Sequence, residues 1–68
     1  MKVSLNGRET ELSGSATVAD AVVALGHDAS GRGLAAAVNG EVVPRSRWIE
    51  RSLAEGDRIE VLTAVGGG

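Results

Sequence analysis

Two Asn-Gly pairs, Asn6-Gly7 and Asn39-Gly40, constrain this chain more than any other feature. Asn-Gly suits the two consecutive positive φ angles of a type I′ turn, and each pair here sits between extended-looking runs, so the pattern predicts two β-hairpins. The first joins a strand over 2–6, with Val3 and Leu5 on one face, to a strand over 8–13. The second joins 34–39 to 41–43. The run Leu34-Ala35-Ala36-Ala37-Val38 carries the helix preference of alanine, but it is too short for an isolated helix and ends on Asn-Gly, which decides for the strand.

Between the hairpins, Val18, Ala21, Val22 and Leu25 follow the i, i+3, i+4, i+7 spacing of a single helix face. Thr17 with Asp20 three residues on resembles a capping box, and Gly26 can take the left-handed stop, so one amphipathic helix of two to three turns is expected within 15–26. The glycine-containing stretch 27–33 reads as a loop. Pro44 closes the second hairpin, 45–48 reads as a helical turn, 54–57 as a turn, and Arg58-Ile59-Glu60-Val61-Leu62-Thr63 alternates as a strand. A helix between two hairpins can cross one sheet and bury its apolar face against it, with the last strand filling the middle beside the first. The expected fold is therefore an α+β β-grasp: one domain over 1–63 with a mixed sheet of about five strands, followed by a flexible tail over 64–68.

Composition sets what such a domain can do. The chain has 68 residues, 43% of them hydrophobic and 24% charged, which is a globular mixture. Trp48 is the sole aromatic, so the core must be built from nine Val, six Leu, two Ile and ten Ala. A body this small leaves little room for an internal active-site cavity. With no cysteine, there is no disulfide, thiolate nucleophile or iron–sulfur ligand. Seven scattered basic residues against nine acidic ones, with a single ring for stacking, argue against nucleic acid. No apolar run approaches membrane-spanning length and the start turns polar early, so a cytoplasmic protein without membrane contact is expected.

Catalytic parts are missing. His27 follows the helix stop with no second His or nucleophile beside it, and reads as an exposed loop residue. Glu9 and Glu11 share a strand face but point outward as a solvated, edge-protecting pair. Trp48 can anchor an interface, but more simply closes one end of a core short of large side chains. The expectation is no catalytic residue and no metal site.

What remains is Ala64-Val65-Gly66-Gly67-Gly68. A fraying terminus or a leftover linker are the bland readings. The physical alternative is a stalk: five extended residues reach about 17 Å, and glycines without Cβ pass through a channel too narrow for any side chain. On this reading Val65, Gly66 and Gly67 thread into a partner's site. Ordering three glycines costs about 3–6 kcal/mol of backbone entropy with no side-chain contact to offset it, so the folded body must supply affinity. If Ile59 and Val61 face the helix, Leu62 lies on the outer sheet face, and so do Ala35 and Ala37; these three form the expected docking patch.

The sequence resembles the ubiquitin-like sulfur carriers, most closely the ThiS family of thiamine (thiazole) biosynthesis. The resemblance rests on Thr17-Val18, Val38-Asn39-Gly40, Val43-Pro44-Arg45 with Trp48 three residues on, Leu53, Gly56-Asp57 with Ile59-Glu60, and Gly67-Gly68. Gly66 is a mild departure, since many relatives carry a side chain before the final glycine pair. The resemblance implies that the Gly68 carboxylate is the reacting group, adenylated by an E1-like adenylyltransferase of the ThiF type using ATP and Mg²⁺. Sulfur from a cysteine desulfurase would then make a C-terminal thiocarboxylate, and a thiazole synthase of the ThiG type would accept that sulfur. The chain itself would bind no cofactor and be a monomer when free. Related destinations, molybdopterin or cysteine synthesis, stay open, as does a ubiquitin-like protein modifier or an interaction domain in which the glycines are incidental.

Overall fold

The computed structural model describes residues 1–63. Its elements are β1 (Lys2–Leu5), β2 (Arg8–Glu11), α1 (Val18–Ala24), β3 (Leu34–Val38), β4 (Glu41–Val43), a 3-10 turn (Arg45–Arg47) and β5 (Arg58–Thr63). They form one five-stranded sheet in the order β2-β1-β5-β3-β4, with β5 parallel to β1 and antiparallel to β3. This is the β-grasp arrangement expected from the sequence, with the last strand in the middle beside the first.

Both hairpins turn as the Asn-Gly pairs require: φ is +50° and +83° at Asn6 and Gly7, and +52° and +85° at Asn39 and Gly40. The second strand ends at Glu11 instead of running to Ser13. Its partner runs out, since the last facing pair is Lys2 with Glu11, and the remaining hydrogen bond from the Leu12 N–H goes to the Met1 carbonyl at 2.8 Å.

The helix is short because both ends are fixed. At its start the Asp20 carboxylate accepts the Thr17 N–H at 2.8 Å, and the Val18 and Ala19 N–H groups donate to the carbonyls of Arg51 and Trp48. Those two N–H groups would otherwise be orphan donors. At its end Gly26 takes φ +91°, and the Gly26 and His27 N–H groups reach back to the Val23 and Val22 carbonyls, a Schellman closure.

Val18, Ala21 and Val22 are buried on the helix face the spacing singled out, against Val3, Leu5, Ala36, Val38, Val43, Ile59 and Val61 of the sheet. Leu53 and Trp48 complete this aliphatic core. Trp48 is 3% exposed and donates its Nε1–H to the Val43 carbonyl at 2.7 Å, so the indole closes the core with its polar edge satisfied. The ring lies on Gly31, where φ is +67° and a Cβ would fall 2.2 Å from Trp48 Cζ3. Only glycine fits that position.

Candidate functional site

Strand alternation decides which β5 side chains meet solvent. Ile59 and Val61 are buried under the helix, so Leu62 projects from the opposite face, where it is 67% exposed. Ala35 stands directly across from Leu62 in the β3–β5 ladder. Ala37 pairs with Glu60 on one side and with Val42 of β4 on the other. The three expected docking residues thus share one face; Ala35 is exposed and Ala37 half-buried.

The structure adds Val42, which is 72% exposed on that same face. Its position was readable: once Val43 is assigned to the core, its neighbour on a three-residue strand must face outward. The result is a cluster of Leu62, Ala35, Ala37 and Val42 on the outer face, with the exposed Glu60 beside Ala37 among them. The other half of that face, on β1 and β2, is polar, pairing Lys2 with Glu11 and Ser4 with Glu9. Glu11 also takes an ion pair from the Met1 ammonium at 2.7 Å. Leu62 is the penultimate residue of β5, so the patch adjoins the point where the chain continues into 64–68. The residues assigned to threading and modification, Val65, Gly66, Gly67 and Gly68, lie outside the described residues.

The other sequence candidates fall elsewhere. Trp48 is interior, which removes it as an exposed anchor. His27 is half-buried at the helix end, where an exposed loop residue was expected. Asp28, in the same loop, has its carboxyl held below the usual carboxylate range, first by the Ser30 N–H and then by the Ser30 hydroxyl.

Two residues escaped the sequence reading except as turn formers. The Asn6 side chain accepts the Val61 N–H at 2.8 Å through Oδ1 and donates Nδ2–H to the Val61 carbonyl at 3.2 Å. The Asn39 side chain accepts the Arg58 N–H at 2.9 Å and donates to the Asp57 carboxylate at 3.0 Å. Both hairpin asparagines therefore grip β5. A primary amide carries the same donor and acceptor as a peptide group, so an asparagine at a strand end can continue a backbone ladder.

A family model described as the ThiS family matches residues 3–68. A curated protein named thiazole synthase, from Paramagnetospirillum magneticum, is 37% identical over 68 residues. The match takes in all of this chain, which spans only 20% of that protein's length. Among solved structures, the crystal structure of the thiamine biosynthesis protein ThiS from Geobacter metallireducens is similar with a TM-score of 0.80 and 28% identity, each chain being covered in full. The crystal structure of SAMP1 from Haloferax volcanii is similar with a TM-score of 0.63 and 25% identity, covering 100% of this chain and 98% of that one.

Proposed function

The chain belongs to the ThiS family, and from that premise we propose that it is a sulfur carrier of thiamine biosynthesis, a co-substrate of partner enzymes and not a catalyst. The observation that carries the reading is the extent of the family match, which runs from residue 3 through the glycine stretch to residue 68. The reacting group in this proposal is the α-carboxylate of Gly68. A free carboxylate is a poor acyl electrophile, so an E1-like adenylyltransferase of the ThiF type activates it with ATP and Mg²⁺. One carboxylate oxygen attacks the α-phosphorus and pyrophosphate leaves. A cysteine desulfurase supplies sulfur as a persulfide, whose terminal sulfur attacks the acyl carbon while AMP departs with the bridging oxygen. A thiol then cleaves the resulting acyl disulfide, is itself oxidised to a disulfide, and releases the thiocarboxylate. Sulfur has replaced one oxygen, and the thiocarboxylate is the donor.

The similarity to a segment of a protein named thiazole synthase supports thiazole formation as the destination of the sulfur, with a thiazole synthase of the ThiG type as acceptor. The face formed by Leu62, Ala35, Ala37 and Val42 is the docking surface in this proposal. It lets the body supply the affinity that a stalk of glycines lacks. Every oxyanion-stabilising donor and the metal belong to the partners.

Incubation with a ThiF-type adenylyltransferase, ATP, Mg²⁺, a desulfurase with cysteine, and a thiol reductant tests the reading by intact-mass measurement. The expected product has one oxygen exchanged for sulfur at the terminal residue, located by fragmentation. An unchanged mass, under conditions that convert a characterised carrier, overturns it.

A further inference from the structure

The parallel ladder between β1 and β5 stops before β5 does. Ser4 donates to the Asp57 carbonyl and Asn6 to the Ile59 carbonyl, both at 2.9 Å. By the even spacing of a parallel ladder, the next rung belongs to Val61. The main chain cannot supply it, because Asn6 and Gly7 turn away with positive φ. The Asn6 side-chain amide takes its place, binding both the N–H and the carbonyl of Val61. These bonds are part-buried, Val61 being interior and Asn6 exposed. On the β1 side the amide extends the grip on β5 by one rung past the end of β1, while on the other side β3 pairs with β5 through Thr63; only Leu62 and Thr63 separate the Asn6 rung from the segment 64–68.

Asn39 provides an internal contrast. Its amide bonds Arg58 and Asp57, at the opposite end of β5 and farthest from the tail. The backbone geometry of the two turns is nearly the same, so the asparagines differ chiefly in which end of the strand they hold.

We propose that Asn6 is a positioning residue for the sulfur-carrier reaction: its amide fixes the direction in which β5 delivers the glycine stalk to a partner's active site. The proposal rests on the function read above. Reaction at the end of a five-residue stalk depends on the angle at which the stalk leaves β5, because small misplacement at the reacting atom lowers the turnover rate. Docking through the outer face uses other residues. Loss of the Asn6 amide therefore lowers kcat of adenylation while leaving KM for the carrier in place.

The test compares Asn6→Gly with Asn39→Gly, since glycine keeps the positive φ of either turn and deletes only the amide. Adenylation by a ThiF-type enzyme is followed by pyrophosphate release, and exchange of the Val61 amide proton is measured on the isolated carriers. Asn6→Gly is expected to speed Val61 exchange about tenfold, in line with the loss of two hydrogen bonds. Its kcat should fall about tenfold with KM within about twofold of wild type, as an interaction felt only at the reaction step requires. Asn39→Gly should leave kcat within about twofold. Asn6→Asp, which keeps the acceptor for the Val61 N–H, should fall between wild type and Asn6→Gly, and serves if the glycine variant fails to fold. Equal kcat losses in the Asn6 and Asn39 variants, or a loss confined to KM, overturn the assignment. If wild type is itself not adenylated, the functional reading falls and the positioning role of Asn6 falls with it. Unaltered Val61 exchange in Asn6→Gly, by contrast, sinks the positioning alone.

Discussion

The two faces of the sheet use the same alternation and end in opposite environments. On the inner face Ile59, Val61, Ala36, Val38, Val3 and Leu5 are shut beneath the helix, Ile59 with no exposure at all. On the outer face Leu62 and Val42 keep 67% and 72% of their surface in solvent beside Ala35 and Ala37. Apolar residues within the sheet are thus of two kinds: those the fold consumes and those it leaves over. The polar half of the outer face, on β1 and β2, shows what an uncommitted surface on the same sheet looks like. The leftover apolar residues, with Glu60 among them, lie where β5 leads into residues 64–68.

The sharpest way to break this contrast is to truncate one residue from each face of β5. Ile59→Ala removes fully buried methyl and methylene groups from a core with few large side chains, and should cost about 2–5 kcal/mol. In a domain of 68 residues that is a large part of the total stability. Leu62→Ala should stay within about 0.5 kcal/mol of wild type. Urea unfolding followed by circular dichroism measures both. Comparable losses at the two sites would mean that the outer face is structural after all.

The inner face depends on a second contact, in which one of the two residues has no side chain. Gly31 supports the Trp48 ring, and an alanine there would meet the indole at 2.2 Å while forced to keep φ +67°. Gly31→Ala should therefore cost about 1–3 kcal/mol as an overpacked site, with a shift in the fluorescence of the single tryptophan as its signature. A variant of native stability and unchanged emission would show that the loop 27–33 moves aside freely.

Local rules in the sequence account for the fold because each element carried its own signal. The Asn-Gly pairs set two turns, Thr17 and Asp20 set the helix start, and Gly26 set its stop. Alternation over Arg58–Thr63 assigned both faces of β5. What stayed hidden depends on pairs distant in sequence. Nothing near Gly31 reveals that Trp48 will lie on it, and nothing near Asn6 reveals a partner fifty-five residues away. The end of the second strand was likewise set by where its neighbour begins, not by its own composition. For the candidate site, the outward set was readable from alternation alone, whereas the chain's own pattern names no occupant for it.

Placing a charge on the outer face sharpens the comparison from the functional side. Leu62→Asp should leave the unfolding midpoint close to wild type, since the side chain is largely in water already. Its kcat/KM for adenylation should fall about tenfold through KM, because a carboxylate would have to be desolvated against an apolar partner surface. That is the reverse of the pattern expected for Asn6→Gly. An adenylation rate untouched by Leu62→Asp would remove the patch from the docking surface.

The smallest effect expected is a pH dependence in the loop that holds Gly31 in place. Asp28 accepts the Ser30 N–H at 2.7 Å, and its carboxyl is held below the ordinary value of 3.8. A carboxyl whose folded value is depressed adds stability that is present above its unfolded value and lost as pH falls through the folded one. The advantage of wild type over Asp28→Ala should accordingly be constant at neutral pH and begin to shrink only as the pH drops below about 3.8. Because the group is fully solvated, the change is small, and thermal unfolding of the two proteins in parallel across the acid range is the measurement that resolves it. An advantage that grows on acidification would carry the wrong sign for a carboxylate stabilised by donors, and would mean that the Ser30 contact does not favour the charged form in solution.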